Sequence, residues 1–364
     1  MYLLIFSIFL YQSQTINIGN AAFSKQEFKV GKGESSIAID DFNADKHLDI
    51  VVTNLIEENA LVFLGNGQGH LTQIGNISAG KSPTSVTTSD INDDGFVDMI
   101  IANHETSYIT ILNGDGHGNF TTAKNSPYAI NVNPHPHVVL LKDINGDKKT
   151  DLIVDNRSTN SLLVLLGMGN NKFEKNSLLI DVGGDPYRGF EIADINNDNL
   201  LDIVTPNTND VSILLNTKSN DFFFDKKSIK TESPFSVKLA DINGDEKIDL
   251  IVASSGNSVT VILGDGHGNF LETQKTVFNM GQGAKQIAVG DINGDGIKDV
   301  FVSSWNNGLM VILGGEKNFE TVKIDLQNIP NPWGIELADM NEDGKEDLLI
   351  TDGSNDSLVL FLSQ

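Results

Sequence analysis

Residues 290–300 read GDINGDGIKDV, with side-chain oxygens at Asp291, Asn293, Asp295 and Asp299 and glycines between them. The same D-x-N-x-D-x-x-x-D pattern stands at Asp41-Asn43-Asp45-Asp49, Asp90-Asn92-Asp94-Asp98, Asp143-Asn145-Asp147-Asp151 and Asp194-Asn196-Asp198-Asp202. It returns at Asp241-Asn243-Asp245-Asp249 and at Asp339-Asn341-Asp343-Asp347. Successive first aspartates lie 49, 53, 51, 47, 50 and 48 residues apart, and all 28 patterned positions are obeyed. Such self-similarity marks a repeat architecture, in which each unit buries its apolar face against its neighbours.

Outward from the acidic loop, every unit has the same grammar. A short apolar strand leads into the loop (SVKLA, 236–240) and a second follows at once (DLIVAS, 249–254; DIVVTN, 49–54; DMIIAN, 98–103). After a polar turn comes a third strand (VTVILG, 259–264; SLLVLLG, 161–167; ALVFLG, 60–65). A Gly-rich turn (GDGHGNF at 264–270 and 114–120, GNGQGHL at 65–71) then precedes a fourth. Short β-branched runs bounded by Gly, Asn and Asp, without helical periodicity, are hairpin signals. Four strands per unit is the pattern of a propeller blade, so the seven units predict an all-β, seven-bladed β-propeller of four-stranded antiparallel blades. The last unit ends in its third strand (DSLVLFLSQ, 356–364), while NAAFSKQEFKV (20–30) precedes the first unit and places Phe23 where Phe120 and Phe270 stand. This N-terminal strand is expected to complete the last blade and close the ring, leaving no open edge.

The acidic loop has the chemistry of a calcium site. Ca²⁺ takes six to eight oxygens, and side chains at positions 1, 3 and 5 converge when the backbone curls around one point. A backbone carbonyl at position 7 adds a donor: His47, Phe96, Lys149, Leu200, Lys247, Ile297 and Lys345. An Asp at position 9, opening the second strand, completes the set in all seven copies. Asp, Asn and Gly also populate ordinary Asx turns, but three carboxylates in one short loop repel one another strongly without a cation. About seven Ca²⁺ are expected, which would move the formal charge from −24 to −10.

Together, DINGDGIKD (291–299), the LIVAS strand (250–254) and LGDGHGNF (263–270) resemble the FG-GAP (VCBS-type) repeat. That repeat builds the seven-bladed propeller of integrin α-chain heads and of many secreted proteins, and the resemblance spans roughly residues 20–364. It implies a calcium-bearing scaffold for binding or adhesion. Unit four departs from the pattern, with LLNTKSNDFFF (214–224) in place of the Gly-rich turn. Integrin propellers carry calcium in only some blades, whereas here every loop qualifies. Nothing resembles the integrin thigh, calf or membrane segments, so the likeness is to the propeller alone.

Composition bounds the partners. With 39% hydrophobic residues among 364, the chain can bury a core. Its 49 acidic against 25 basic residues repel phosphate backbones, which argues against nucleic acid. The absence of cysteine removes disulfides, thiolate metal sites and cysteine nucleophiles together. The apolar stretch Tyr2–Tyr11 is too short to span a bilayer and suits the core of a secretory leader. Residues 1–19 are therefore read as a signal peptide or disordered N-terminus, and 20–364 as one exported, monomeric propeller without a membrane span.

Function must then be sought on the face opposite the acidic loops. Six residues before each first Asp stand Ser35, Thr84, His137, Arg188, Phe235, Lys285 and Trp333, with Pro directly preceding in four units. Varied chemistry on rigid flanks suits a pocket at the channel mouth, with His137, Tyr187, Arg188, Phe235, Lys285 and Trp333 as candidate ligand residues for a protein or glycan. No H-E-x-x-H, G-x-S-x-G or P-loop is present, so the chain is read as a binder rather than an enzyme. The alternative is a carbohydrate-active enzyme, similar to polysaccharide lyases on calcium-rich propellers. His135 and His137, two residues apart, could share a face toward a transition metal but lack a third ligand by sequence. His117 and His267 recur within the GDGHGNF turn and read as turn structure.

Overall fold

The computed structural model describes residues 15–18, 21–33, 36–130, 132, 135–186, 189–218, 222–281, 283–304, 308–316, 319–324, 326 and 329–364. In blade five, Pro234–Ala240, Asp249–Ser254, Ser258–Ile262 and Thr276–Asn279 pair antiparallel in that order. Six further sheets repeat the order, and no α-helix occurs among the described residues. The innermost strands are Ile37–Asp40, Pro83–Ser89, Val139–Lys142, Glu191–Ala193, Pro234–Ala240, Ala284–Gly290 and Pro332–Ala338. Blade two splits its fourth strand into Phe120–Thr122 and Tyr128–Ala129, and blade three inserts a small hairpin, Gly167–Gly169 with Lys172–Phe173.

Burial follows the apolar pattern. The second strands, such as Asp98–Asn103 and Asp347–Asp352, are buried at every residue, as expected of strands packed on both faces. The core is divided into seven clusters, each lying between adjacent blades. One joins Ile195, Val204 and Val211 of blade four to Val237, Leu250 and Val252 of blade five. Another joins Met340, Leu349 and Leu358 of blade seven to Ile37, Ile50 and Phe63 of blade one, which closes the ring of hydrophobic interfaces. Each fully buried aliphatic side chain contributes about 1.5–3 kcal/mol, so no blade is stable apart from its neighbours.

The closure is as the sequence predicts. Ala21–Lys29 pairs antiparallel with the C-terminal strand Ser357–Ser363, in register from Phe23↔Ser363 to Lys29↔Ser357. Phe23 thus faces Ser363 as Phe120 faces Gly114 and Phe270 faces Gly264. One boundary is corrected. Thr15–Ile18, assigned by sequence to the leader or disordered N-terminus, pairs with Ala21–Lys29 as a fifth strand (Thr15↔Ser24 to Ile18↔Ala21). The outermost strand presents unpaired backbone groups, which this short extended segment satisfies. Residues 1–14, including the apolar stretch read as a leader, lie outside the described residues. No helix among the described residues is long and apolar enough to cross a membrane.

Candidate functional site

All seven acidic loops adopt one conformation. The first Asp accepts the backbone N–H of position 5 through Oδ1 (3.0–3.2 Å). Its Oδ2 accepts that of position 6 (2.7–2.8 Å). The Asn at position 3 also accepts from position 5 (2.8–3.0 Å). The Asp at position 5 accepts from position 7 (2.8–3.1 Å). Positions 4 and 6 have left-handed backbone in every copy, at glycines but also at Ala44, Lys46, Lys148, Glu246 and Glu342. A β-carbon there is disfavoured by about 1–2 kcal/mol, so these loops hold their curl against local cost.

The ninth-position aspartates are fully buried. Their Oδ2 accepts the N–H of the position-2 residue: Phe42, Ile91, Ile144, Ile195, Ile242, Ile292 or Met340 (2.8–3.2 Å). Their Oδ1 accepts the N–H at the end of the third strand: Gly65, Gly114, Gly167, Asn216, Gly264, Gly314 or Ser363 (2.7–3.0 Å). Burial pushes the carboxyls of Asp49, Asp98, Asp151, Asp202, Asp249, Asp299 and Asp347 up to about 6; the backbone donors oppose this and nearby loop aspartates reinforce it.

The loops also tie blade to blade. The carbonyls of Phe42, Ile91, Ile242 and Met340 accept N–H groups from the outer turns of the next blade, at Gly118, Asn171, Gly315 and Gly69 (2.9–3.2 Å). Unit four, irregular by sequence, keeps the bond from the third strand to its ninth-position Asp by substitution. Asn216 stands where most blades have Gly, and its side chain donates to the Leu201 carbonyl at 3.3 Å. At Gly264 a β-carbon would lie 2.0 Å from the Ile248 carbonyl oxygen, which explains glycine there. Carboxylates have about four acceptor sites, so these backbone bonds leave capacity for a further partner. An all-oxygen donor set with several carboxylates fits a hard divalent cation such as Ca²⁺.

On the opposite face the innermost strands enclose an axial cavity of about 180 Å³, lined among others by Thr84, His137, Gln286 and Trp333. Of the six predicted ligand residues, His137 and Trp333 line it. Phe235 and Lys285 are buried elsewhere, which corrects their reading as channel-mouth groups. The Lys285 ammonium donates to Asn331 Oδ1 (2.8 Å) and to the Pro332 carbonyl (3.1 Å), and lies 4.5 Å from the centre of the Trp333 ring. A β-bulge stands at this point in blades two, five, six and seven, and from it Thr84 and Trp333 reach the cavity while Lys285 is held away by Asn331 and the Pro332 carbonyl. Bulges re-aim side chains, and their presence was not legible as a pattern. Tyr187, Arg188 and Ser35 lie outside the described residues.

One group was missed by sequence, and a second, the His135–His137 pair, was read without its third member, His104. Inside the channel Lys238 bonds Glu191 beside Glu336, from blades four, five and seven. Burial pulls the Lys238 ammonium down, but the two carboxylates outweigh it and hold it above the usual lysine value. Burial raises Glu336 to about 7, against the attraction of Lys238 and with repulsion from Glu191. All three stand three residues before their first Asp, so the signal was opposite charges at one repeat position. The second group is at the junction of blades two and three. There the Nε2 atoms of His104 and His135 are 3.0 Å apart. His137 Nδ1 lies 3.3 Å from Asp155 Oδ2. Burial lowers the His135 pKa, helped by His137 and Arg157. His104 follows the second strand of a different unit, so only the ring brings it to the pair.

Seven four-stranded blades about an axial channel, each carrying an acidic loop between its first two strands, define a repeat-built β-propeller. The chain belongs to the FG-GAP-like repeat family, which matches residues 41–101, 90–154, 143–205, 194–252, 241–302 and 293–350. No curated protein sequence matches the chain. Its fold is similar to that of BBS1N, solved in complex with ARL6DN (12% identity, 93% of this chain and 95% of that one, TM-score 0.64). It is similar too to virginiamycin B lyase of Staphylococcus aureus, solved in an inactive form with quinupristin (17% identity, 93% and 99%, TM-score 0.59). A third similar structure is an Agrocybe aegerita lectin that recognises non-reducing terminal N-acetylglucosamine (18% identity, 81% of each chain, TM-score 0.59). At these identities the likeness is one of fold.

Proposed function

We propose that this chain is an exported, calcium-stabilised binding module whose protein or glycan partner docks on the face opposite the acidic loops. The observation that carries the reading is the sevenfold identity of those loops, kept even where non-glycine residues must take left-handed backbone. Asp41, Asn43, Asp45 and Asp49, with the His47 carbonyl, would hold the ion in blade one, and the corresponding residues would do so in the others. Bound Ca²⁺ neutralises the loop carboxylates. In four blades the chain's own position-2 residue joins the loop to the next blade, so a filled loop there stiffens an interface. The millimolar calcium outside cells suffices for even weak loops of this kind, consistent with export. Related folds that bind a protein partner or a sugar support a binding role.

The test is a glycan array and a protein array probed with the calcium-loaded chain, then repeated in EDTA. Binding is expected in calcium and lost in EDTA as the fold loosens. Gln286→Arg, a bulky cation at the channel mouth, is expected to weaken binding at least about tenfold with an unchanged melting temperature. Release of reducing ends from a polysaccharide by the same preparation would replace this reading with an enzymatic one.

A further inference from the structure

We propose that His104, His135 and His137 form a binding site for one late-transition divalent ion of the zinc type, distinct in place and chemistry from the acidic loops. Their ligating nitrogens all lie within 4.8 Å of one another, with His104 Nε2 and His135 Nε2 at 3.0 Å. Two nitrogens bound to one tetrahedral zinc stand about 3.3 Å apart, given Zn–N bonds of ~2.0–2.1 Å. The His104–His135 pair is close to that spacing, and the His137 nitrogen lies within 4.8 Å of both.

The second observation is the carboxylate behind the cluster. Asp155 is buried, and its Oδ1 accepts the backbone N–H groups of His137 and Val138, both at 2.8 Å. So anchored, its Oδ2 faces His137 Nδ1 at 3.3 Å. A carboxylate only accepts, so it selects the tautomer with hydrogen on Nδ1, in which the lone pair a metal would take is on Nε2. A histidine ligand backed by a carboxylate in this way is the usual outer-shell arrangement of zinc sites.

The third is that the repeat does not require these residues. Positions equivalent to His104 hold Leu55, Arg157, Thr208, Ser255 and Gly353, and those equivalent to His135 hold Gly33, Ser82, Pro186, Ser233 and Asn331. Three of the chain's seven histidines nevertheless meet at one junction between blades, with ring centroids 3.8–4.9 Å apart. Imidazole nitrogens suit zinc, copper and nickel, whereas calcium prefers oxygen. Three nitrogens leave a tetrahedral ion one open position, and since His137 lines the axial cavity, that position would adjoin the channel. Nearby Glu105 and Asp155 supply negative charge, while Arg157 is held by Asp185 through two bonds of 2.7 and 2.8 Å.

The experiment uses the full chain, stripped of metal and refilled with millimolar Ca²⁺, titrated with Zn²⁺ by calorimetry and with Co²⁺ by visible absorption. One equivalent of Zn²⁺ is expected, with a cobalt spectrum of tetrahedral intensity. His104→Asn and His135→Asn, both at half-buried loop positions, should each weaken it at least tenfold. Asp155→Asn should weaken it about 10- to 100-fold. His117→Asn, in an exposed outer turn, should leave it unchanged. Melting curves in calcium identify any variant that fails to fold, and His104→Asn alone then decides. Absence of zinc binding below about 0.1 mM, or binding retained by the two folded loop variants, would overturn the site and place any zinc on the acidic loops.

Discussion

Asp299 reaches two ways at once: one oxygen holds the Ile292 N–H that shapes the acidic loop, the other the Gly314 N–H that ends the third strand. Its buried carboxyl titrates near 6 against an ordinary 3.8, as do its six counterparts. Below 3.8 both folded and unfolded chains are protonated there, and no penalty arises. Above about 6 both are charged, but only the folded chain has the charge buried, so stability falls as pH rises through this window. The metal-free chain is therefore expected to melt higher at pH 5.5 than at 7.5. With Ca²⁺ the order reverses if these carboxylates are ligands, because protons compete with the ion. Melting curves with and without EDTA at the two pH values decide, and the same order in both would separate the aspartates from metal binding. A steric prediction belongs beside it. Gly264→Ala drives a β-carbon into the Ile248 carbonyl and should cost about 1–3 kcal/mol in urea unfolding, whereas Gly256→Ala, with open space around it, should cost less.

At the level of elements, the closing strand and, in four blades, the outer turns join the blades beside their apolar interfaces. Phe23 is completely buried, in the cluster shared by blades six and seven. Its truncation to Ala should destabilise by about 3–5 kcal/mol, measured as a shift of the urea midpoint at constant slope. A loss under 1 kcal/mol would mean that ring closure adds little, and that the blades hold by their flat faces. The same strand pairing explains why Ala21–Lys29 need not be strongly apolar: it gains a full ladder of backbone bonds from Ser357–Ser363. The inner strands differ in which side chains see the channel, although blades two, five, six and seven share a bulge there. Trp333 and His137 reach it while Lys285 is drawn to Asn331 and Pro332.

The whole molecule is a closed ring in which four of the acidic loops bond the following blade, so metal binding and global stability should move together. Metal analysis of the calcium-dialysed chain is expected to return close to seven Ca²⁺; two or fewer would remove the equivalence of the loops. A ligand that binds only the folded state stabilises it by about 2.7 kcal/mol per site at a hundredfold excess over its dissociation constant. EDTA should accordingly lower the melting temperature markedly, and Asp295→Ala should reproduce a fraction of that loss. An unchanged melting curve in EDTA would show that backbone N–H groups alone satisfy the loops.

The sequence by itself determined the blade count, the strand order within each blade, the closing role of the N-terminal strand and the position of every acidic loop. These rest on local grammar repeated at fixed spacing, in which turn residues and β-branched runs act over a few neighbours. Only the tertiary structure decided which side chains meet around the axis. Lys238, Glu191 and Glu336 come from three blades, and His104 joins His135 and His137 across a blade junction. Such meetings depend on strand register, on bulges that turn a residue from one side of the sheet to the other, and on the angle at which blades pack. No short-range pattern encodes those quantities. Lys285 shows the consequence: its place in the repeat suggests the channel mouth, yet Asn331, the Pro332 carbonyl and a tryptophan ring hold it buried in the wall.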